Sequence, residues 1–216
     1  MRGSVGIGLS HTKRFKEIIE MLIKYGFGYL LDRLDIYIPS GIRGKGIIGD
    51  CHDLPPAKRI VCILQELGPT FIKLGQILST RPDMIPKTYL DELKKLQDDV
   101  IHTDFKEILC QIEEELGKKL EDVFLDFDQE PLASASLSQV HKALLPHKQW
   151  VAVKVQRPDV DEVMRTDLEI LMWLGKLVEK RIPESRAYEP VAKLKELGDA
   201  MLSELDFSME GRNIEK

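Results

Sequence analysis

Cysteine is scarce in this chain of 216 residues: Cys51, Cys62 and Cys110 are odd in number and far apart. That excludes a disulfide framework and leaves thiols expected to pack as small apolar side chains in a reducing compartment. No cysteine or histidine falls at zinc-ligand spacing, and His11, His52, His102, His141 and His147 form no i,i+4 pair. Metal-cluster chemistry is therefore set aside, and no metal site is expected. Long apolar runs are missing too. Near the N-terminus the uncharged runs, such as Tyr25–Leu31, are far below the roughly 20 residues that span a bilayer. Lys and Glu interrupt MRGSVGIGLSHTKRFKEIIEMLIKYG, so it has no unbroken apolar centre of the kind a signal peptide needs. A basic excess is absent as well: 31 Lys and Arg stand against 36 Asp and Glu, a net charge of −5, which argues against a nucleic-acid partner.

What is present, 43% apolar and 31% charged side chains, suits one globular domain or two small ones with a real core. Charge is uneven: residues 1–60 carry 10 basic and 6 acidic groups, residues 91–130 carry 5 and 14. Over residues 12–34, Phe15, Ile18, Ile19, Leu22, Ile23, Leu30, Leu31 and Leu34 recur at helical spacing, with Lys13, Arg14, Lys16, Glu17, Glu20 and Lys24 around the rest of the wheel. This predicts an amphipathic helix, broken near Gly26 and Gly28, that either meets a membrane surface or a partner or packs on its own domain.

Residues 38–56, with Pro39, Gly41, Gly44, Gly46, Gly49 and Pro55-Pro56, read as a linker. A helix is expected from Ala57 to Leu67, stopped by Gly68 so that Pro69 begins the next. Further helices are expected at Lys87–Leu96 and Asp104–Leu116, the latter capped by Thr103 or Asp104. The period then shortens. Val123–Phe127, Val140–Leu145 and Trp150–Val155 alternate in polarity, predicting a three-stranded antiparallel meander. Helices resume at Asp161–Arg181 and Glu189–Asn213. The expected divisions are 1–56, 57–120 and 121–216.

The most specific local string is Val151-Ala152-Val153-Lys154-Val155. On a strand the three valines face one way while Ala152 and Lys154 face the other. In a protein-kinase-like small lobe the small residue would lie against adenine and the lysine would reach the α- and β-phosphates. Taken alone, a lysine reaching to solvent explains the string as well. Preceding it is PLASASLSQVHKA, residues 131–143, which has no glycine where a kinase has a glycine-rich loop. Alanine and serine pay a steric cost for the shapes glycine takes freely, so a nucleotide there must be held differently. On the helix begun by Pro69, Thr70, Lys73, Gln76 and Thr80 form one polar stripe, which spacing alone would assign to a solvated face.

Together, Lys73-Leu74-Gly75-Gln76, PLASASLSQVHKA, VAVKVQRP (151–158) and Glu204-Leu205-Asp206 occur in the order of the UbiB family, the aarF-domain atypical kinases of coenzyme Q biosynthesis, which this chain resembles over nearly its whole length. The resemblance implies an α+β fold: a kinase-like small lobe preceded by a helical extension, the large lobe lying outside the chain. Lys154 resembles the phosphate-pairing lysine and Glu210 its acidic partner. Ala133, Ser134, Ala135 and Ser136 look like the loop replacing the glycine-rich one, and Ala152 like the residue against adenine. Lys73 and Gln76 resemble the KxGQ pair thought to lie over the nucleotide pocket, Glu204 and Asp206 the ExD motif that holds that extension. A Lys73–Glu204 ion pair is expected, with Asp206 and Glu210 sharing one face of the final helix.

The cofactor so implied is ATP or ADP with magnesium, and the implied partners are quinone-biosynthesis proteins or lipids at a membrane. The expected location is cytoplasmic, peripheral on the inner face of a bacterial membrane. No catalytic residue is expected: His102-Thr103-Asp104 mimics a kinase catalytic loop but has Leu109 where the Asn belongs, and Asp206-Phe207-Ser208 mimics DFG without its glycine. The expectation is a truncated chain, inactive by itself. The competing expectation is a non-enzymatic membrane- or protein-interaction module.

Overall fold

A computed structural model describes residues 9–37, 54–97 and 102–207. The linker expected at 38–56 therefore lies almost wholly outside the described residues, as does Glu210. The chain forms two compact units, one of Met1–Gln97 with Val163–Lys216, the other Asp98–Glu162.

In the first unit, α1 (Leu9–Lys24) and α2 (Gly28–Arg33) replace one long helix. The break falls at Gly26, whose φ of +80° a side chain would resist. Ile19 and Leu31 are buried together with Phe15, Leu22, Ile23 and Ile36 packed around them, and the edge of Phe15 meets Trp173, ring centroids 5.4 Å apart. The apolar stripe is thus consumed by packing within the unit. The helix pair leaves Lys13, Lys16, Tyr29, Arg33 and Tyr37 exposed. Lys24 pairs with Glu66 at 2.5 Å, and Tyr25 Oη also donates to that carboxylate.

α3 (Pro56–Leu67) and α4 (Pro69–Ser79) meet at Gly68, whose φ of +90° makes the corner. α5 (Lys87–Leu93) runs into a 3-10 turn, Lys94–Gln97. Leu64, Leu67, Phe71, Leu74, Leu93 and Leu96 are buried. Arg14 of α1 reaches this corner: Nη2 donates to Leu67 O at 2.5 Å, while Nε and Nη2 grip Asp167 at 2.7 and 3.1 Å. Burial pulls the Arg14 pKa down, but Asp167 and then Glu17 outweigh it and the net direction is upward. α8 (Val160–Arg181) and α9 (Pro190–Ser203) complete the description. The helix expected to reach Asn213 ends at Ser203 because the amides of Leu205 and Asp206 turn back to Leu202 O and Ser203 O, tightening its last turn.

In the second unit, Asp104 caps α6 (Phe105–Leu116) by accepting from the Lys106 amide at 2.8 Å. This gives the catalytic-loop lookalike a plain structural role. The strand expected at Val123–Phe127 is shortened at its start, where Val123 closes a single helical turn, α7 (Leu120–Val123), whose first amide donates to Glu113 at 3.0 Å. The regular strand is β1 (Asp126–Phe127), with the Leu125 amide just before it donating to Leu144 O at 2.7 Å. β2 (Ala133–Ser134), β3 (Ser138–Leu144) and β4 (Trp150–Gln156) follow, so the sheet has four strands where three were expected. All pairing is antiparallel and centred on β3. β4 runs along one edge of it, while β1 and β2 share the other. Val155 packs with Ile108 and Ile112 of α6, with Val153, Phe127 and Leu120 around them.

Candidate nucleotide-binding lobe and latch helix

Among the described residues, the sheet residues of the nucleotide set fall in the second unit and the KxGQ and ExD residues in the first. In the second unit, the pairs Ala133↔Val140 and Val140↔Lys154 place Ala133, Val140 and Lys154 in one row across three strands. Paired residues share a face, so Lys154 and Ala133 project from the same side, opposite the valines that meet α6. Lys142, paired with Ala152, belongs to that side as well, and its ammonium lies 4.1 Å from the Trp150 ring centroid. Ala133, Ala135, Ala152 and Lys154 are exposed while Ser136 is buried. The result is an open face carrying two cations and small side chains, which admits an anionic ligand close to the backbone.

Three neighbours that sequence reasoning missed hold the alanine-rich segment. Ser134 Oγ is 2.7 Å from His102 Nδ1. Arg157 Nε donates to Ala135 O at 3.1 Å and its Nη1 to Thr103 Oγ1 at 2.7 Å, while its amide donates to Leu137 O at 3.0 Å. Beneath them, Gln139 and His141 are fully buried. Asp128 O can only accept, so His141 Nδ1, 2.9 Å away, carries the proton. His141 Nε2 then accepts from Gln139 Nε2 at 3.4 Å, which turns the Gln139 carbonyl toward the Thr103 amide it accepts from. Every member is satisfied in one direction of donation, a condition for a buried polar network to rigidify its surroundings. The signal in the sequence was the polar Ser138-Gln139 and His141 inside a strand.

In the first unit the polar stripe of α4 is not a solvated face. Thr70 is wholly buried and its hydroxyl has no hydrogen-bond partner among the described residues. Gln76 Nε2 donates to Leu96 O at 3.1 Å, tying α4 to the 3-10 turn. Lys73 Nζ pairs with Glu204 at the end of α9, its side chain 18% exposed against 45% for the glutamate. Glu204 makes this pair from the C-cap of α9, and Asp206 follows outside the helix. One turn beyond α4, Arg81 bridges Asp83 at 2.8 Å and Glu196 of α9 at 2.7 Å. Reversing one charge, in Lys73→Glu or Glu204→Lys, is expected to cost roughly 1 kcal/mol at this partly exposed pair. The double exchange should regain most of it in urea denaturation, and no regain would show that the two groups are not coupled.

An ABC1 atypical kinase-like domain matches across residues 95–216, more than half of the chain. The chain belongs to the ABC1 atypical kinase-like family. Relatives named as probable protein kinase UbiB are similar to it throughout: that of Aliivibrio fischeri is 38% identical over 209 residues, covering 94% of this chain and 38% of the relative. That of Cronobacter sakazakii is 38% identical over 206 residues, covering 93% and 38%. An uncharacterized protein of the hydrogenase 1 5′ region in Clostridium pasteurianum is 39% identical over 203 residues, covering 94% of this chain and 35% of its own length. The chain thus spans little more than a third of these curated relatives. The solved complex of Rv3197 with erythromycin from Mycobacterium tuberculosis overlaps 71% of this chain and 39% of its own, at 30% identity and a TM-score of 0.41, too loosely to add to the family match. For an ABC1 member, the α+β organisation with a small antiparallel sheet is that of a kinase-like N-terminal lobe. A nucleotide fits the donor set of the sheet face. Among the described residues no three acidic, histidine or cysteine side chains converge as a metal site. Nor is any helix among them long and apolar enough to cross a membrane.

Proposed function

We propose that these residues form the nucleotide-binding lobe and latch helix of a UbiB-like atypical kinase or ATPase that serves ubiquinone biosynthesis. The observation that carries the reading is the cross-strand row of Ala133, Val140 and Lys154. It places a lysine and the alanine-rich segment on one open face, with Ala152 leaving room for a base beside Lys154. Lys154 would pair the phosphates of ATP or ADP, and Ala133 to Ser136 would lie along them. Lys73 and Glu204 act as a latch between α4 and α9, with Gln76 on the same stripe of α4 tied to Leu96 O and Asp206 continuing the ExD motif. Any contact with a membrane surface through residues 12–34 falls to the exposed basic and aromatic groups of α1 and α2, since their apolar stripe is already buried. The role assigned to residues 1–216 is nucleotide binding and latching, not phosphoryl transfer.

Thermal melting with ADP or ATP, with and without magnesium, is the direct test. A ligand at about 100 times its Kd stabilises by roughly 2.7 kcal/mol, which for a chain of this size raises Tm by roughly 5–10 °C. Lys154→Ala should abolish most of that rise. An unchanged Tm in the parent chain, or an equal rise in Lys154→Ala, would overturn the reading.

A further inference from the structure

A loop built from alanine and serine has little of the backbone freedom by which a glycine-rich loop shapes itself around phosphate, so its shape must come from outside. The structure shows where it comes from. The Arg157 guanidinium spans two carriers at once, Ala135 O through Nε and Thr103 Oγ1 through Nη1, and its own amide holds Leu137 O. In a trans peptide the C=O and the following N–H point in opposite directions. Tying Ala135 O to Arg157 therefore aims the Ser136 N–H away from Arg157, and no peptide bond in the described chain is cis.

The other end of the span is itself anchored. Thr103 is fixed through its amide to Gln139, which is wholly buried and locked to His141. Burial also lowers the Arg157 pKa, as expected of a cation drawn in from solvent to serve this geometry.

We infer that Arg157 is a positioning residue for the nucleotide loop, acting through the planar fork of its guanidinium to set the Ala135–Ser136 peptide plane. The inference rests on the nucleotide reading above for its purpose, but not for its geometry. Charge is not the operative property. Lysine keeps the charge but cannot donate to Ala135 O and Thr103 Oγ1 as a rigid planar pair. His102, bonded to Ser134 Oγ, is a second and independent tether of the same loop.

The test uses the whole chain in four forms: parent, Arg157→Lys, Arg157→Ala and Thr103→Val. Hydrogen–deuterium exchange is followed over residues 132–139 without nucleotide, and the affinity for a fluorescent ADP analogue is measured in parallel. Both Arg157 variants should speed exchange at residues 135–137 by about tenfold and weaken ADP binding by a similar factor, the scale of one lost charge-assisted hydrogen bond. Thr103→Val, which removes only the far anchor, should move both readouts the same way by less. It keeps the question answerable if Arg157→Ala melts the lobe. Parent-like exchange and affinity in Arg157→Lys would overturn the inference, because charge alone would then suffice. Unchanged exchange in every variant would also overturn it, while ADP binding that still depends on Lys154 would leave the nucleotide reading standing. Faster exchange in a chain whose parent form binds no ADP would do the reverse, upholding the anchor and removing the nucleotide reading.

Discussion

Arg14→Ala is expected to destabilise the first unit by about 3–5 kcal/mol, the cost of leaving a buried charge without its partner. Asp167 has no exposed surface, and Arg14 holds both its oxygens while also satisfying Leu67 O at the α3–α4 corner. The Arg14 guanidinium also lies over Phe71, 5.6 Å from the ring centroid. A single truncation thus strands a carboxylate, a helix-terminal carbonyl and an aromatic face. Arg14→Lys should recover only part of the loss, since an ammonium cannot grip both carboxylate oxygens in parallel. Replacing both members, as Arg14→Met with Asp167→Leu, removes the buried charges together, and it should cost less than Arg14→Ala alone. Urea denaturation of the variants measures each value and their coupling. If the double replacement proved as damaging as the sum of its parts, the coupling energy would be zero and the two groups would not be acting as a pair. A loss below about 1 kcal/mol in Arg14→Ala would place the pair among surface ion pairs, against its burial.

Gly75→Val should cost about 3 kcal/mol, the upper end for overpacking a core. A Cβ at Gly75 would stand 2.4 Å from Leu96 Cδ1, 2.9 Å from Leu64 Cδ1 and 3.4 Å from Leu93 Cδ2. Leucine tips can yield, but these three are all buried, so each displaced methyl presses on another. Gly75 lies between Lys73 and Gln76, so pushing α4 outward should also loosen the Gln76 bond to Leu96 O and the Lys73–Glu204 latch. Leu96→Ala vacates the most crowded space. In that background the penalty of Gly75→Val should fall by more than half, and an undiminished penalty would locate the crowding elsewhere.

The helix boundaries were legible where backbone chemistry alone decides them. Gly68-Pro69 stops one helix and starts the next, Asp104 caps another, and Gly26 divides the N-terminal pair. The alternation of 150–156 was equally plain, because one face of that strand meets α6 and the other meets solvent. Elements decided by long-range partners were not legible. Val123, Leu125 and Phe127 alternate well, yet the backbone bonds to β3 begin only at the Leu125 amide, while Glu113 accepts from the first amide of a helical turn that takes up Val123. The final helix had the periodicity to continue, but it ends where Glu204 turns to Lys73. The stripe on α4 has the spacing of a wet surface, and only the distant Leu96 carbonyl and Glu204 carboxylate reveal that it is covered. The Arg157 fork could not be anticipated at all, because Thr103 and Ala135 are brought to it by the fold.

The pairing of β3 with β4 has a consequence for how this stretch of sequence can change over time. Because side chains alternate with a period of two, losing or gaining one residue inside β4 would exchange its faces. Lys154 would be driven against Ile108 and Ile112, and two valines would be turned outward. Burying an ammonium there costs more than the strand pairing can return. The string therefore works as a parity check: substitutions within it can be graded in effect, but a one-residue length change is rejected outright. Variation in length is steered into the connection at residues 145–149, where the count of residues does not decide which way the lysine points.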